Sequence, residues 1–554
     1  MTMWRQRSAA NGSPPASWAA SLYALMGCIA LPCAAQTAIT PGSVQQSLPP
    51  ALVDAPRLPS QMVFPDQPQP PPFDPSDQRF VVNAFDVHGA TVFSRLRLKR
   101  VLARFLDLEV NLYDLNRAAD DLTWYYHAHG YPLARAYVPA QTVKNGVVRI
   151  EMVEGRIGSV RISGNRRYSE EFLKARLPHL REGQIVYGLR LEQDLLGLNA
   201  LPGLNSRVVL SPSAMPGATD ADLQIRESLV NGGVLIDNFG REQTGQWRLQ
   251  GSLNLNSPLG WGDRFSFMGM KTNGNLINYW SLAYSLPLNA RGWRLDVTNS
   301  RVGYDVQGLS AALNVHGRVD TSSVQLQWPL SRSRASSSSV TVGYKLSHSS
   351  QSALGVEVAS NHHSVLDTAY SGNWTHDDSS STQLRLGLAS NFRQFATTTG
   401  ENNVMARFEI DIDHVAPWTK DWDVKVHANA VYSPDALPDS EKFGVGGPGS
   451  VRAFQSSEIR GDSGHLLSVE VRRTLPVGNT MVQPRITFDS GTAIYKAPDY
   501  RDSSETLRSV GLGVSVFPTK DAQISMDWAR ALGSSRVASD GSPSRFWVKA
   551  SVNF

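Results

Sequence analysis

The sequence predicts a mainly β protein: a C-terminal transmembrane antiparallel β-barrel of about sixteen strands, preceded by two small α+β domains. Three observations carry this reading. From Val234 to Phe554 helical periodicity disappears and apolar residues alternate with polar ones. Between Gln78 and Glu227 one β-α-α-β-β pattern occurs twice. The last segment sets Phe546, Val548, Ala550, Val552 and Phe554 against Trp547, Lys549, Ser551 and Asn553. As a free sheet such a face would aggregate, whereas closed into a barrel it satisfies every backbone group in lipid.

In chain order, residues 1–35 read as a secretory signal peptide. Arg5 and Arg7 supply the positive region, Trp18 to Leu31 the apolar region, and Cys33-Ala34-Ala35 the small residues before a cut ahead of Gln36. Both cysteines, Cys28 and Cys33, lie here, so the mature chain is expected to carry no disulfide and no thiol chemistry. Leu25-Met26-Gly27-Cys28 falls short of a lipoprotein acylation box, because methionine before the glycine is atypical. Residues 36–77 form a proline-rich linker that leans to extended polyproline structure. Only a short helix, around Ser43 to Leu48, fits between its prolines.

Residues 78–155 hold the first repeat. Phe80 to Val87 suggest a strand ending at His88-Gly89, and Ser94 caps a helical run through Phe105. Tyr113 to His129 is a second helix. Ala134 to Val138 and Val147 to Val153 are strands joined by the turn Lys144-Asn145-Gly146. Residues 156–230 repeat the order. A strand ends in Gly164-Asn165, helices follow at Ser169–Leu177 and Gly188–Leu198, and strands at Arg207–Leu210 and Ala221–Ile225.

Residues 231–554 are the barrel, with segments such as Trp247-x-Leu249-x-Gly251-x-Leu253-x-Leu255, Trp293-x-Leu295-x-Val297 and Val510-x-Leu512-x-Val514-x-Val516. Aromatics sit at many segment ends, as an interfacial girdle requires. Short turns such as Pro287-Leu288-Asn289 alternate with long polar connections, Ser347 to His363 among them. The stretch from Phe443 to Gly464 breaks the pattern with glycines and a proline before Arg460, then returns at once to alternation. A long ordered loop in a β protein is usually functional. Its centre, Val451-Arg452-Ala453-Phe454, places one cation between apolar side chains, and a charge in a narrow lumen needs a partner. In Arg485-Ile486-Thr487-Phe488-Asp489, alternation turns Arg485, Thr487 and Asp489 to the lumen and Ile486 and Phe488 to lipid.

These residues resemble the outer-membrane transporters of two-partner secretion, the ShlB/FhaC/HecB-type haemolysin secretion/activation family, built from POTRA modules and a barrel. Gly130-Tyr131 through Gln141, and Gly146 to Glu154-Gly155, look like the first POTRA module. Asp237-Asn238, Gly245, Pro258-Leu259-Gly260 and Gly262-Asp263 look like the first barrel hairpin. Val451, Arg452, Ala453 and Phe454, followed by Gly461, Asp462 and Gly464, are similar to the family's loop motif, with Ala453 in place of the usual glycine. Phe488, Asp489 and Gly491 look like its barrel-wall motif. The plug helix of some members is not evident in the linker.

The resemblance implies that loop 443–464 folds into the lumen and that Arg452 pairs with Asp489, where a guanidinium can grip a carboxylate bidentately. It implies a cell outer-membrane location with the POTRA domains in the periplasm. There they would take up a large unfolded exoprotein, of adhesin or haemolysin type, and the barrel would pass it to the surface. Phe546, Val548, Val552 and Phe554 are expected to signal to the barrel-assembly machinery, with outer-membrane lipid around the barrel and one copy working alone. An assembly insertase of the same superfamily and a passive porin are the rival readings.

No catalytic, cofactor or metal constellation is expected, and a net charge of +4 does not argue for nucleic acid. Gly461-Asp462-Ser463-Gly464 spells a serine-protease site, but His465 points to the other face. Asp462 and Asp489 sit in Asp-Ser-Gly triplets too close in sequence for the two lobes of an aspartic protease. Arg460-Gly461-Asp462 is an adhesion tripeptide by chance spelling. His362-His363 reads as a solvated pair in a polar connection.

Overall fold

The computed structural model describes residues 39–48, 62–63, 79–391, 405–496, 502–533 and 538–554. The signal-peptide reading and most of the proline-rich linker fall outside these residues. Inside them, helix α1 (Pro41–Ser47) forms about where a short helix was expected, around Ser43 to Leu48, in a linker otherwise expected to be extended. Pro41 takes a first-turn position where no amide is missed, and Thr40 and Ser43 cap each other reciprocally. The helix seeks the barrel: its Val44 packs among Met270, Ile277, Val302, Tyr304, Val306 and Val319. The remaining described linker residues, Met62–Val63 (β1), run parallel to a strand of the second module.

The first module holds strands β2 (Phe80–Val81), β3 (Ala84–His88) and β4 (Glu109–Val110), with helices α2 (Arg95–Leu102) and α3 (Leu112–Ala128). Strands β5 (Arg135–Tyr137) and β6 (Val147–Val153) complete it. Its sheet order is β3-β6-β5, with β3 and β6 parallel. The second module has β7 (Arg156–Ser163), α4 (Glu170–Lys174), α5 (Gly188–Asn199), β8 (Leu204–Pro212) and β9 (Ala218–Glu227). Its order, β7-β9-β8, repeats the first.

A knot of the same design closes both modules. Gly89 and Gly164 adopt φ of 79° and 83°, and a Cβ on either would stand 2.3 Å from a carbonyl, that of Met152 or Ile225. Two residues beyond those carbonyls a glutamate catches the loop that the glycine begins. Glu154 accepts from the N–H groups of Thr91 and Val92 (2.6 and 2.7 Å), and Glu227 from those of Arg166 and Arg167 (both 2.9 Å). Two expectations need correction. Asn145-Gly146 closes only a local bridge between Lys144 and Val147, because β5 pairs with the far end of β6. Ser94 stands at the start of α2 without a capping hydrogen bond from its side chain.

The barrel strands begin with β10 (Val230–Asp237), β11 (Arg248–Asn256), β12 (Arg264–Thr272), β13 (Ile277–Pro287) and β14 (Arg294–Asp305). They continue with β15 (His316–Arg332), β16 (Ser336–Ala353), β17 (Val356–Thr375), β18 (Ser381–Ser390), β19 (Ala406–Pro417) and β20 (Trp422–Tyr432). A short hairpin, β21 (Phe443–Val445) and β22 (Ile459–Gly461), lies inside the long loop that follows. The wall resumes with β23 (Ser463–Arg473) and its continuation β24 (Leu475–Val477), then β25 (Thr480–Tyr495), β26 (Ser503–Thr519), β27 (Ala522–Ala531) and β28 (Ser544–Asn553). Since β23 and β24 both pair with β25, the closed barrel has 16 antiparallel strands.

Alternation sorts the side chains as the sequence requires. On β25 Ile486 is 58% exposed on the lipid side, while Thr487 and Asp489 are buried in the lumen. On β28 Phe546 and Val552 face outward, as does Phe554 just past it, and Trp547 turns in. The polar connection expected from Ser347 to His363 is instead the upper part of the hairpin β16–β17, turned at Leu354-Gly355. Its serine-rich strands extend past the apolar band, so polarity there marks height above the membrane, not loss of strand. His363 is accordingly buried and reaches Ser440 (3.1 Å), and His362 stacks on His348 at 3.8 Å.

Candidate functional site

The loop between β20 and β23 folds into the lumen. Its inward hairpin runs from Phe443 to Gly461, so Ser463 and Gly464, expected within the loop, belong to the wall strand β23. Gly446 and Gly447 take φ of 114° and 107° and let the chain reverse under the loop's root. Beyond them Val451, Ala453 and Phe454 are fully buried with Val445 and Phe443 in one apolar cluster. Ala453 is not among the residues with positive φ, so alanine fits the tip without strain.

Glycines on the wall make room for this cluster. A Cβ on Gly491 would stand 2.5 Å from Val445 Cγ1 and 3.2 Å from Val451 Cγ2, and one on Gly464 2.4 Å from the Phe443 ring. Gly461 lies as tightly against the backbone of Ile494. Phe488 faces lipid and takes no part in the contact.

Arg452 is buried at the centre. Its Nη1 donates to Asp489 Oδ1 at 2.6 Å, and its backbone N–H to Asp489 Oδ2 at 3.2 Å. Nη2 turns away to Glu470. The bidentate pair expected from the sequence is thus a bridge between two carboxylates, because Glu470 shares the inward row of β23 with Ser468. Asp489 is fully buried and also accepts from Ser468 Oγ (2.8 Å) and Ser509 Oγ (2.9 Å). A buried carboxylate without such partners would be strongly unfavourable. From the last strand, Trp547 donates its indole N–H to the Arg452 carbonyl at 2.7 Å.

The loop's root is fixed separately. Asp462 accepts from Leu437 N–H (2.7 Å), Lys442 Nζ (2.7 Å) and Lys496 N–H (2.8 Å). Arg460 holds helix α1, donating to Asp439 Oδ1 (2.6 Å), Thr40 Oγ1 (2.8 Å) and Gln46 Oε1 (3.2 Å). Gly42 N–H donates to the other oxygen of Asp439 at 2.6 Å. Arg460 and Asp462, discounted as an adhesion tripeptide, therefore fasten the helix and the loop root. Beneath loop and helix a cavity of about 960 Å³ remains, lined by Arg407, Lys425, Arg472, Arg485 and Lys549 with fewer carboxylates, among them Glu409 and Asp527.

Sequence reasoning placed Arg452 and Asp489 together but missed Glu470, Trp547, Arg460 and Asp439. Glu470 and Trp547 were legible as inward positions of their strands; nothing marked Arg460 or Asp439. Asp411, Asp413 and His427 also converge, but Lys425 already stands 3.0 Å from Asp413 and supplies the cation there.

A membrane barrel obstructed by its own loop and helix, and joined to two repeated modules outside the membrane, is an outer-membrane polypeptide transporter. The chain belongs to the haemolysin secretion/activation family ShlB/FhaC/HecB, whose model matches residues 221–516. The ShlB-type POTRA domain matches residues 80–155. The chain is similar to the heme/hemopexin transporter protein HuxB of Haemophilus influenzae, 24% identical over 478 residues covering 82% of this chain and 84% of the relative. It is similar also to the outer membrane transporter CdiB of Escherichia coli, at 26% over 476 residues, 79% and 76% of the two chains. The solved structure of CdiB from Escherichia coli shares the fold, with a TM-score of 0.69 at 22% identity over 88% of this chain and 93% of that one. The protein is therefore a two-partner secretion transporter of the outer membrane, not an enzyme, with its POTRA modules in the periplasm and an exoprotein as partner.

Proposed function

We propose that the partner is a large exoprotein of adhesin or haemolysin type, recognised unfolded by the POTRA modules, and that Arg452 is the latch of the gate it passes. The carrying observation is the burial of Arg452 between Asp489 and Glu470 in a lumen that the loop and helix α1 obstruct. Passage requires both to withdraw. A charged latch suits a gate, because it is specific when closed and water re-solvates its ions when it opens. Val451, Ala453 and Phe454 with wall glycines Gly464 and Gly491 form its apolar seat, and Gly461 and Asp462 its root. The functional units are then residues 1–35 as signal peptide, 36–77 as linker with plug helix α1, 78–155 and 156–230 as POTRA modules, and 231–554 as barrel. Phe546, Val548, Val552 and Phe554 serve recognition by the assembly machinery, and the closed barrel, with its own lumen, works as a single copy in outer-membrane lipid.

The test is secretion of a candidate large exoprotein co-expressed with this chain, with Arg452→Ala and Gly491→Val compared with wild type at equal amounts of heat-modifiable barrel. Removing the guanidinium leaves the buried Asp489 and the partly buried Glu470 without their shared cation, at about 3–5 kcal/mol. Gly491→Val unseats the loop without touching a charge. Secretion is expected to fall at least tenfold in both. Wild-type secretion from Arg452→Ala would reduce Arg452 to an ordinary lumen charge, and wild-type secretion from Gly491→Val would show that the loop's apolar seat is not needed for passage.

A further inference from the structure

A second cavity, of about 510 Å³, lies outside the lumen, between α4–α5 of the second POTRA module and the periplasmic rim of the barrel. Arg176, Arg291 and Arg332 line it. Arg332 bridges its two walls: Cβ atoms on Gly197 of α5 and Gly292 of the rim turn would stand 3.6 and 3.5 Å from its guanidinium nitrogens. Asp194, the carboxylate lining it, is already engaged by His179 N–H at 2.9 Å and by the His179 ring. Arg176 lies over the Phe172 ring at 3.5 Å and donates to the Phe172 carbonyl at 3.3 Å, which fixes its guanidinium at the cavity wall.

The outer wall is apolar. Leu330 is 51% exposed and stands at the β-bulge that ends the lipid-facing row Val324, Leu326, Trp328 of β15. Trp328 packs on Trp293 at 5.0 Å, as interfacial tryptophans do at headgroup depth. Guanidiniums beside an apolar, lipid-facing wall at the interface match one ligand chemistry: a phosphate ester carrying acyl chains.

We propose that this cavity binds the headgroup of an anionic phospholipid of the periplasmic leaflet, with Arg291 and Arg332 on the phosphate and the acyl chains along Leu330 and Trp328. The bound lipid ties the second POTRA module to the barrel rim. An acidic segment of the exported chain is the lesser fit, because Leu330 faces lipid and the cavity lies outside the lumen.

The test is native mass spectrometry of the delipidated full chain in detergent. The probes are dioleoyl phosphatidylglycerol, dioleoyl phosphatidylcholine, inorganic phosphate and a glutamate-rich peptide. Phosphatidylglycerol is expected to be retained at least tenfold better than phosphatidylcholine. Arg291→Glu with Arg332→Glu should abolish the difference at unchanged heat-modifiability, and Arg291→Lys with Arg332→Lys should keep part of it. Equal retention of the two lipids overturns the proposal even if the charge-reversed variant fails to fold. So does undiminished retention by that variant, phosphate binding as tight as the lipid, or displacement of the lipid by the peptide.

Discussion

The indole of Trp547, on the last barrel strand, donates to the backbone carbonyl of Arg452 at the tip of the inward loop. The strand that closes the barrel against β10 therefore also holds the loop tip. That closing seam is short, with five paired positions from Gly233–Asn553 to Asp237–Lys549. Phe239, just past β10, meets the Trp547 ring edge-on at 5.6 Å, so loop tip, seam and first external loop share one contact.

Trp547→Phe should keep the packing and lose the hydrogen bond. A buried neutral hydrogen bond contributes about 1 kcal/mol, so the unseated population of the loop should rise roughly fivefold. In an Ala453→Cys background, where the thiol is buried until the loop leaves, maleimide labelling should accelerate by that factor. An unchanged labelling rate would show that the indole does not hold the tip.

Helix α1 offers a cleaner way to open the lumen. A Cβ on Gly42 would stand 2.3 Å from the Asp439 carbonyl oxygen and 2.5 Å from Arg460 Nη2, and the backbone oxygen has no way to yield cheaply. Gly42→Ala should cost about 1–3 kcal/mol of helix docking, roughly a 5- to 150-fold shift toward the released helix. Conductance of the purified protein in planar bilayers should rise accordingly, while heat-modifiability stays wild-type. A conductance no different from wild type would mean that α1 does not obstruct the pore.

Most of the barrel was legible because lipid on one side and water on the other impose a period of two on every strand. The modules were legible because their helices and strands change period within a repeated frame. Where those constraints lapse, the reading failed. The upper halves of β16 and β17 face water on the outside as well, so Ser347 to His363 carried no alternation and resembled a loop. A short helix was expected around Ser43 to Leu48, but its docking was not, because α1 is too short to show a 3.6-residue stripe and is held by Arg460, Asp439 and Arg248 from distant strands and loops. Arg452 and Asp489 were matched from their motifs, but Glu470 and Trp547 needed the barrel's register, which brings β23, β25 and β28 around one loop tip.

The first POTRA module should show a pH-dependent stability centred on Glu154. Burial alone would raise this carboxyl, but hydrogen bonds from the Thr91 hydroxyl, the Val92 and Thr91 amides and the Tyr126 hydroxyl outweigh it and hold the group below the ordinary carboxylate range. A carboxyl depressed on folding stabilises the fold above its unfolded value of about 4.3, and that contribution is lost as pH falls through the lower, folded value. Glu154→Gln replaces an acceptor oxygen by a donor and removes the charge, at about 1.5–3 kcal/mol at neutral pH. Amide hydrogen exchange of residues 84–92 and 147–153 in the full-length protein should therefore be faster in the variant at pH 7. Compared at matched pH, that difference should shrink steadily below about pH 4, because protonation of Glu154 imposes on the wild type what the substitution imposes on the variant. A difference that persisted undiminished in acid would show that the loop after Gly89 is held by packing and not by the carboxylate.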